Sequence, residues 1–100
     1  MAQAMLSIQI SPRVNPGEEV IPYVDRAIEI IKSSGVVYRV GPMETTMEGD
    51  VDELIGIVKR MNDAMFEMGS PQVISHIKLA INKAGEASIA RQLKKYPDGQ

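Results

Sequence analysis

Two hydroxyl residues, Thr45 and Ser75, interrupt runs that are otherwise apolar in alternation. Thr45 stands between Met43 and Met47, and Ser75 shares its parity with Ile77, Leu79 and Ile81. Successive side chains of an extended chain point to opposite faces, so each hydroxyl shares a face with its apolar neighbours. A hydroxyl in an apolar layer must find a partner. It can bond a nearby backbone carbonyl, or it can form the polar end of a small pocket and be completed by a ligand. With the pocket reading, Met43, Met47, Met65 and Ile77 are candidate walls. Both readings stay open on the residues alone.

Other chemistry finds less support. The chain has no Cys and a single His, His76, so thiolate chemistry, Cys-ligated metals and a His-rich metal cluster are excluded. No nucleophile, base and orienting group can be assembled from these residues, and no Gly-rich phosphate loop or carboxylate-rich metal loop is present. Glu44 and Glu48 do not suggest an acid/base pair. The expectation is a protein that is not an enzyme and needs no cofactor or metal.

The elements that must position Thr45 and Ser75 follow from periodicity. Residues 5–11 alternate, with Leu6, Ile8 and Ile10 on one side, and Pro12 closes a predicted strand. Val20, Ile21, Val24, Ala27, Ile28 and Ile31 then make a stripe at helical spacing, predicting a helix over 18–34 that is loosened early by Pro22 and ended by Gly35. Residues 36–40 and 43–48 read as paired strands around Gly41-Pro42. Asp50 and Glu53 have capping-box spacing at the head of a second helix. Its apolar stripe is Leu54, Val58, Met61, Met65 and Met68, and Gly69-Ser70-Pro71 stops it. The methionines read as core packing, although such walls also adapt to ligands. A last strand runs over 72–81, and residues 87–96 allow a short basic helix.

This order, β-α-β followed by β-α-β, is the split plan of the α+β ferredoxin-like sandwich: a four-stranded antiparallel sheet with two helices on one face. The other face, carrying Ser7, Gln9, Ser11, Arg39, Glu44, Thr46, Glu48, His76 and Lys78, must then meet solvent or another subunit. One hundred residues suit a single domain, with a core over about 5–82 and a C-terminal extension over 83–100. Eleven Lys and Arg against thirteen Asp and Glu give a net charge of -2, and 44% of residues are hydrophobic, a soluble globular composition. Nucleic acid and anionic membrane are poor partners for such a chain. No apolar run reaches the ~20 residues of a membrane span, and the first ten residues lack the pattern of a signal peptide, so the expected location is cytoplasmic.

The residues Tyr38-Arg39-Val40-Gly41-Pro42-Met43, then Thr45, Glu48-Gly49 and Ser75-His76-Ile77-Lys78, form a combination that resembles the YkoF-like thiamine-binding family. The resemblance covers roughly 6–81. It implies a ferredoxin-like fold, self-association into dimers or tetramers through the sheets, and binding of thiamine or its hydroxymethylpyrimidine moiety without known catalysis. Two departures accompany it: Glu44 stands where many relatives have Gly, and Ala80-Ile81-Asn82-Lys83 replaces an acidic-basic ending. Apolar walls with hydroxyls suit a flat aminopyrimidine, and the cationic thiazolium favours a carboxylate or aromatic face, for which Glu48 and Tyr38 are candidates. The expected ligand set is therefore Thr45, Ser75, Tyr38, Glu48, Met43 and Met47.

Alternatives come from other classes. Arg13 and Asn15, after the first strand, prompt acylphosphatase-like phosphate hydrolysis, but that chemistry's Gly-rich cradle is missing. RNA binding on the sheet needs aromatics in the central strands, and the first strand has none. A purely structural oligomeric domain is the remaining alternative.

Overall fold

The computed structural model of this chain describes residues 3–83 and residue 89. Six elements follow in order: β1 (Ala4–Pro12), α1 (Ile21–Ser34), β2 (Val37–Val40), β3 (Thr45–Gly49), α2 (Val51–Glu67) and β4 (Val73–Ile81). The strands form one sheet in the order β2-β3-β1-β4, antiparallel throughout, and the fold is the ferredoxin-like βαββαβ sandwich. The predicted helix over 87–96 lies outside the described residues except for Ile89.

Register decides the faces. Leu6 lies opposite Met47 on one side and Leu79 on the other, and Ile8 lies opposite Thr45 and Ile77. Those residues look toward the helices. Leu6, Met47, Leu54, Ile57, Met61 and Met65 are all but fully buried between sheet and helices, with Ile31 from α1. At about 25 cal/mol per Å² of apolar surface removed from water, such a layer supplies most of the stability of a small domain. The remaining face carries Met5, Ser7, Arg39, Thr46, Glu48, His76 and Lys78 and is turned away from α1 and α2.

Four local features differ from the sequence expectation. α1 begins at Ile21 rather than residue 18. Pro22 sits in its first turn, where a missing N–H costs little. Glu18 instead stays outside and accepts hydrogen bonds from the Asn15 backbone N–H at 2.8 Å and the Tyr23 hydroxyl at 3.0 Å. The buried stripe of α1 is consequently Tyr23, Ala27 and Ile31, while Ile21 is exposed.

The capping box at Asp50 and Glu53 does not form. Asp50 is the N-cap by backbone conformation but makes no side-chain cap bond, and the Val51 N–H donates to Gln3 Oε1 at 3.3 Å. Met68 lies past the end of α2 and is partly exposed rather than in the core. Finally, the second run of the hairpin becomes strand only at Thr45. The Gly41 N–H bonds the Glu44 carbonyl at 2.9 Å and closes residues 41–44 into a tight loop.

Candidate functional site

A cavity of about 250 Å³ opens between the sheet and α1, beside that loop. Val24, Ile28 and Ile31 of α1 form one wall and Met61 of α2 closes it, while Ile8, Ile10 and Thr45 contribute from the sheet. The size is just under that of sites for drug-sized molecules and suits one substituted ring.

Its polar character comes from two sources. Thr45 is 8% exposed, and its hydroxyl makes no side-chain hydrogen bond to any described residue. The second source is β1. Its ladder with β3 ends at Ile8 opposite Thr45, whereas its ladder with β4 continues to Pro12 opposite Val73. Backbone N–H and C=O groups of antiparallel strands alternate between the two sides, so beyond Ile8 the side turned toward β3 has no strand to meet among the described residues. Gln9, Ile10 and Ser11 line the cavity there. Gln9 and Ser11 are exposed and Ile10 is half-buried, so these backbone groups are open to solvent and equally to an incoming ring with edge donors and acceptors.

The structure brings together only part of the expected set. Thr45 and Met43 line the cavity, with Met43 largely exposed at its mouth. Met47 is fully buried beneath the sheet, packed in the core with Met65. Tyr38 is half-buried against the core from β2. Ser75 lies across from Ile10, but its hydroxyl donates to Asn62 Oδ1 at 3.1 Å, and Asn62 Nδ2 donates to the Val58 carbonyl at 2.8 Å. Ile77 faces the helix side of β4 yet is 41% exposed and does not line the cavity. Glu48 is on the face turned away from α1 and α2, where its Oε2 accepts the Ile89 N–H at 2.9 Å.

The contributions of Val24, Ile28 and Met61 were visible only as parts of helical stripes. The free side of β1 had no sequence signal at all, since it depends on how far β3 extends. Among the described residues no cluster of His, Cys, Asp and Glu could hold a metal ion.

Titration is perturbed away from the cavity. The Asn15 backbone N–H, then the Asn15 side chain and the Tyr23 hydroxyl, hold the Glu18 carboxyl below its ordinary value. Burial, with the adjoining Glu18, raises the Tyr23 hydroxyl. Tyr23 also donates toward the Met68 carbonyl at 3.2 Å, and Asn15 Nδ2 reaches the Gly69 carbonyl at 2.9 Å. This cluster fastens the start of α1 to the end of α2 and is structural.

A ferredoxin-like domain with a ring-sized, partly polar cavity between sheet and helices is the class these observations define. Residues 6–97 match the family described as thiamine-binding protein, and the chain belongs to that family. A UPF0045 protein of Clostridium perfringens is 45% identical over 80 residues, covering 80% of this chain and 83% of its own. Among solved structures, a domain of unknown function, DUF77, from Bacillus cereus superposes with a TM-score of 0.88 at 37% identity, covering 98% of this chain and 93% of that one. A candidate thiamine biosynthesis/salvage protein of Thermotoga maritima gives 0.80 at 32% identity, covering 93% and 97%.

Proposed function

We propose that this protein binds thiamine, or its hydroxymethylpyrimidine moiety, without transforming it. The pyrimidine ring sits in the cavity beside α1. The observation that carries this reading is that the Thr45 hydroxyl, with no hydrogen-bond partner among the described residues, stands beside the side of β1 that β3 leaves open, both set into apolar walls. An aminopyrimidine has apolar faces, ring-nitrogen acceptors and an exocyclic amino donor. Its faces meet Val24, Ile28 and Met61, while its edge meets Thr45 and the backbone of residues 9–11. Membership of the thiamine-binding family supports the choice of ring, and the absence of a catalytic constellation in the sequence supports binding over turnover. Calorimetry with thiamine and hydroxymethylpyrimidine is the test. Failure of both to bind at millimolar concentration overturns the reading.

The same reading includes self-association. β4 is a nine-residue edge strand whose helix-side residues Ile77, Leu79 and Ile81 are 41%, 40% and 57% exposed. Among the described residues its outer edge has no strand partner, and such an edge with an apolar flank is a surface that a second copy covers well. Light scattering should give a dimer or tetramer, and Leu79→Lys should shift it toward monomer. A wild-type monomer at micromolar concentration refutes the assembly.

A further inference from the structure

The loop 41–44 walls two cavities, one on each face of the sheet. The second, of about 510 Å³, lies on the face turned away from α1 and α2 and is lined by Met5, Arg39, Met43, Glu44, Thr46 and Ile89 together with Gly41 and Pro42. Arg39 and Thr46 are directly opposed in the β2–β3 ladder, so guanidinium stem and hydroxyl rise side by side. Among the described residues Arg39 makes no ion pair; the ion pairs there are Arg26–Glu29 and Lys59–Asp63. Glu48, on the same face of β3, is already engaged with the Ile89 N–H.

We propose that this cavity receives the charged end of a phosphorylated ligand, a cationic ring bearing a phosphomonoester, with Arg39 and Thr46 on the phosphate and Glu44 toward the ring cation. The proposal rests on the thiamine reading above. A planar guanidinium matches phosphate oxygens in a fork, and a neighbouring hydroxyl adds a donor. Glu44 in the same lining opposes a bare anion and welcomes a cation. Opposite charges around an apolar patch of Met5, Met43 and Ile89 therefore select a zwitterion over either simple ion. Because the loop is the common wall, a ligand held on the helix side extends its second ring past Met43 and Glu44 toward Arg39.

The experiment is calorimetry on the full chain with thiamine, thiamine monophosphate and inorganic phosphate, using wild type, Arg39→Gln, Arg39→Lys and Thr45→Val. Arg39→Gln should weaken thiamine monophosphate at least tenfold, about 1.4 kcal/mol, while thiamine changes less than twofold and the melting temperature is unmoved. Arg39→Lys should keep part of the preference, Thr45→Val should weaken both thiamine ligands, and inorganic phosphate should compete poorly. Equal loss of both thiamine ligands in Arg39→Gln, or no loss of the monophosphate, overturns the inference while leaving the thiamine reading standing. If wild type binds neither thiamine ligand, both fall together.

Discussion

Replacing Thr45 by valine removes one hydroxyl and keeps a β-branched side chain in the first residue of β3. In the free protein that hydroxyl has no side-chain partner among the described residues, and its neighbours across the ladders are Ile8 and Val40. No donor or acceptor is stranded by the change, and strand preference is preserved. Folding stability should therefore stay within about 0.5 kcal/mol of wild type. In the complex the same hydroxyl bonds the edge of the pyrimidine ring. A neutral hydrogen bond contributes about 0.5–1.5 kcal/mol net, which is roughly a two- to thirteenfold rise in Kd. Thermal unfolding and calorimetry on the same preparation read the two quantities separately. A stability loss above about 1 kcal/mol, seen as a fall of roughly 4–8 °C in Tm for a domain of this size, combined with an unchanged Kd, would mean that the hydroxyl serves the fold, and the site reasoning would fail.

Three further perturbations test other parts of the structure. Ser75→Ala should do the reverse of Thr45→Val: it strands Asn62 Oδ1, so unfolding measurements should show a loss of about 0.5–1.5 kcal/mol with thiamine affinity unchanged. Gly41→Ala places a Cβ 2.8 Å from the Glu44 carbonyl oxygen, a backbone atom that cannot step aside cheaply, and should cost about 1–3 kcal/mol by denaturant titration while weakening ligand binding through the shared loop. The Glu18 carboxyl is held below its ordinary 4.5 in the folded state, so its contribution is present above that pH and is lost as pH falls through the lowered folded value. Tyr23 is raised above 10.0, so its contribution is present below that pH and fades as pH rises toward the folded value. Glu18→Gln should accordingly flatten the acid limb of the Tm–pH profile, and an unchanged acid limb would contradict this assignment.

The strands and helices were legible because alternation and helical spacing report directly on burial. Leu6 and Ile8 in one parity, and Leu54, Met61 and Met65 along one stripe, went into the core as their spacing requires. Misreadings arose where a distant residue won a local contest. Gln3, the residue just before β1, supplies the side-chain oxygen at the head of α2 that Asp50 was positioned to give. Glu18 was drawn out of the helix by Asn15 and Tyr23. At the site, parity placed Thr45 and Ser75 correctly on the helix side, but parity says nothing about distance along a strand. Asn62 claims Ser75, and the cavity forms around Thr45 alone. Glu48 was a candidate for its charge toward a cationic thiazolium, and its parity with Thr46, legible in the sequence, keeps it on the face opposite Thr45.

The sheet order carries a consequence for the route by which the chain folds. β2 and β3 are joined by a four-residue loop and can zip as soon as both exist, but β1, the strand between β3 and β4, pairs Ala4 with Ile81 across nearly the whole described length. Contacts so remote in sequence form slowly, because the chain must lose its looping freedom before they reward it. During synthesis β1 would spend that interval with one edge unsatisfied and Leu6 and Ile8 uncovered on the side that β4 later flanks. Arrival of β4 is then the committing step, and a pause or truncation before Val73 would leave a nascent chain prone to pair with its neighbours on the same messenger.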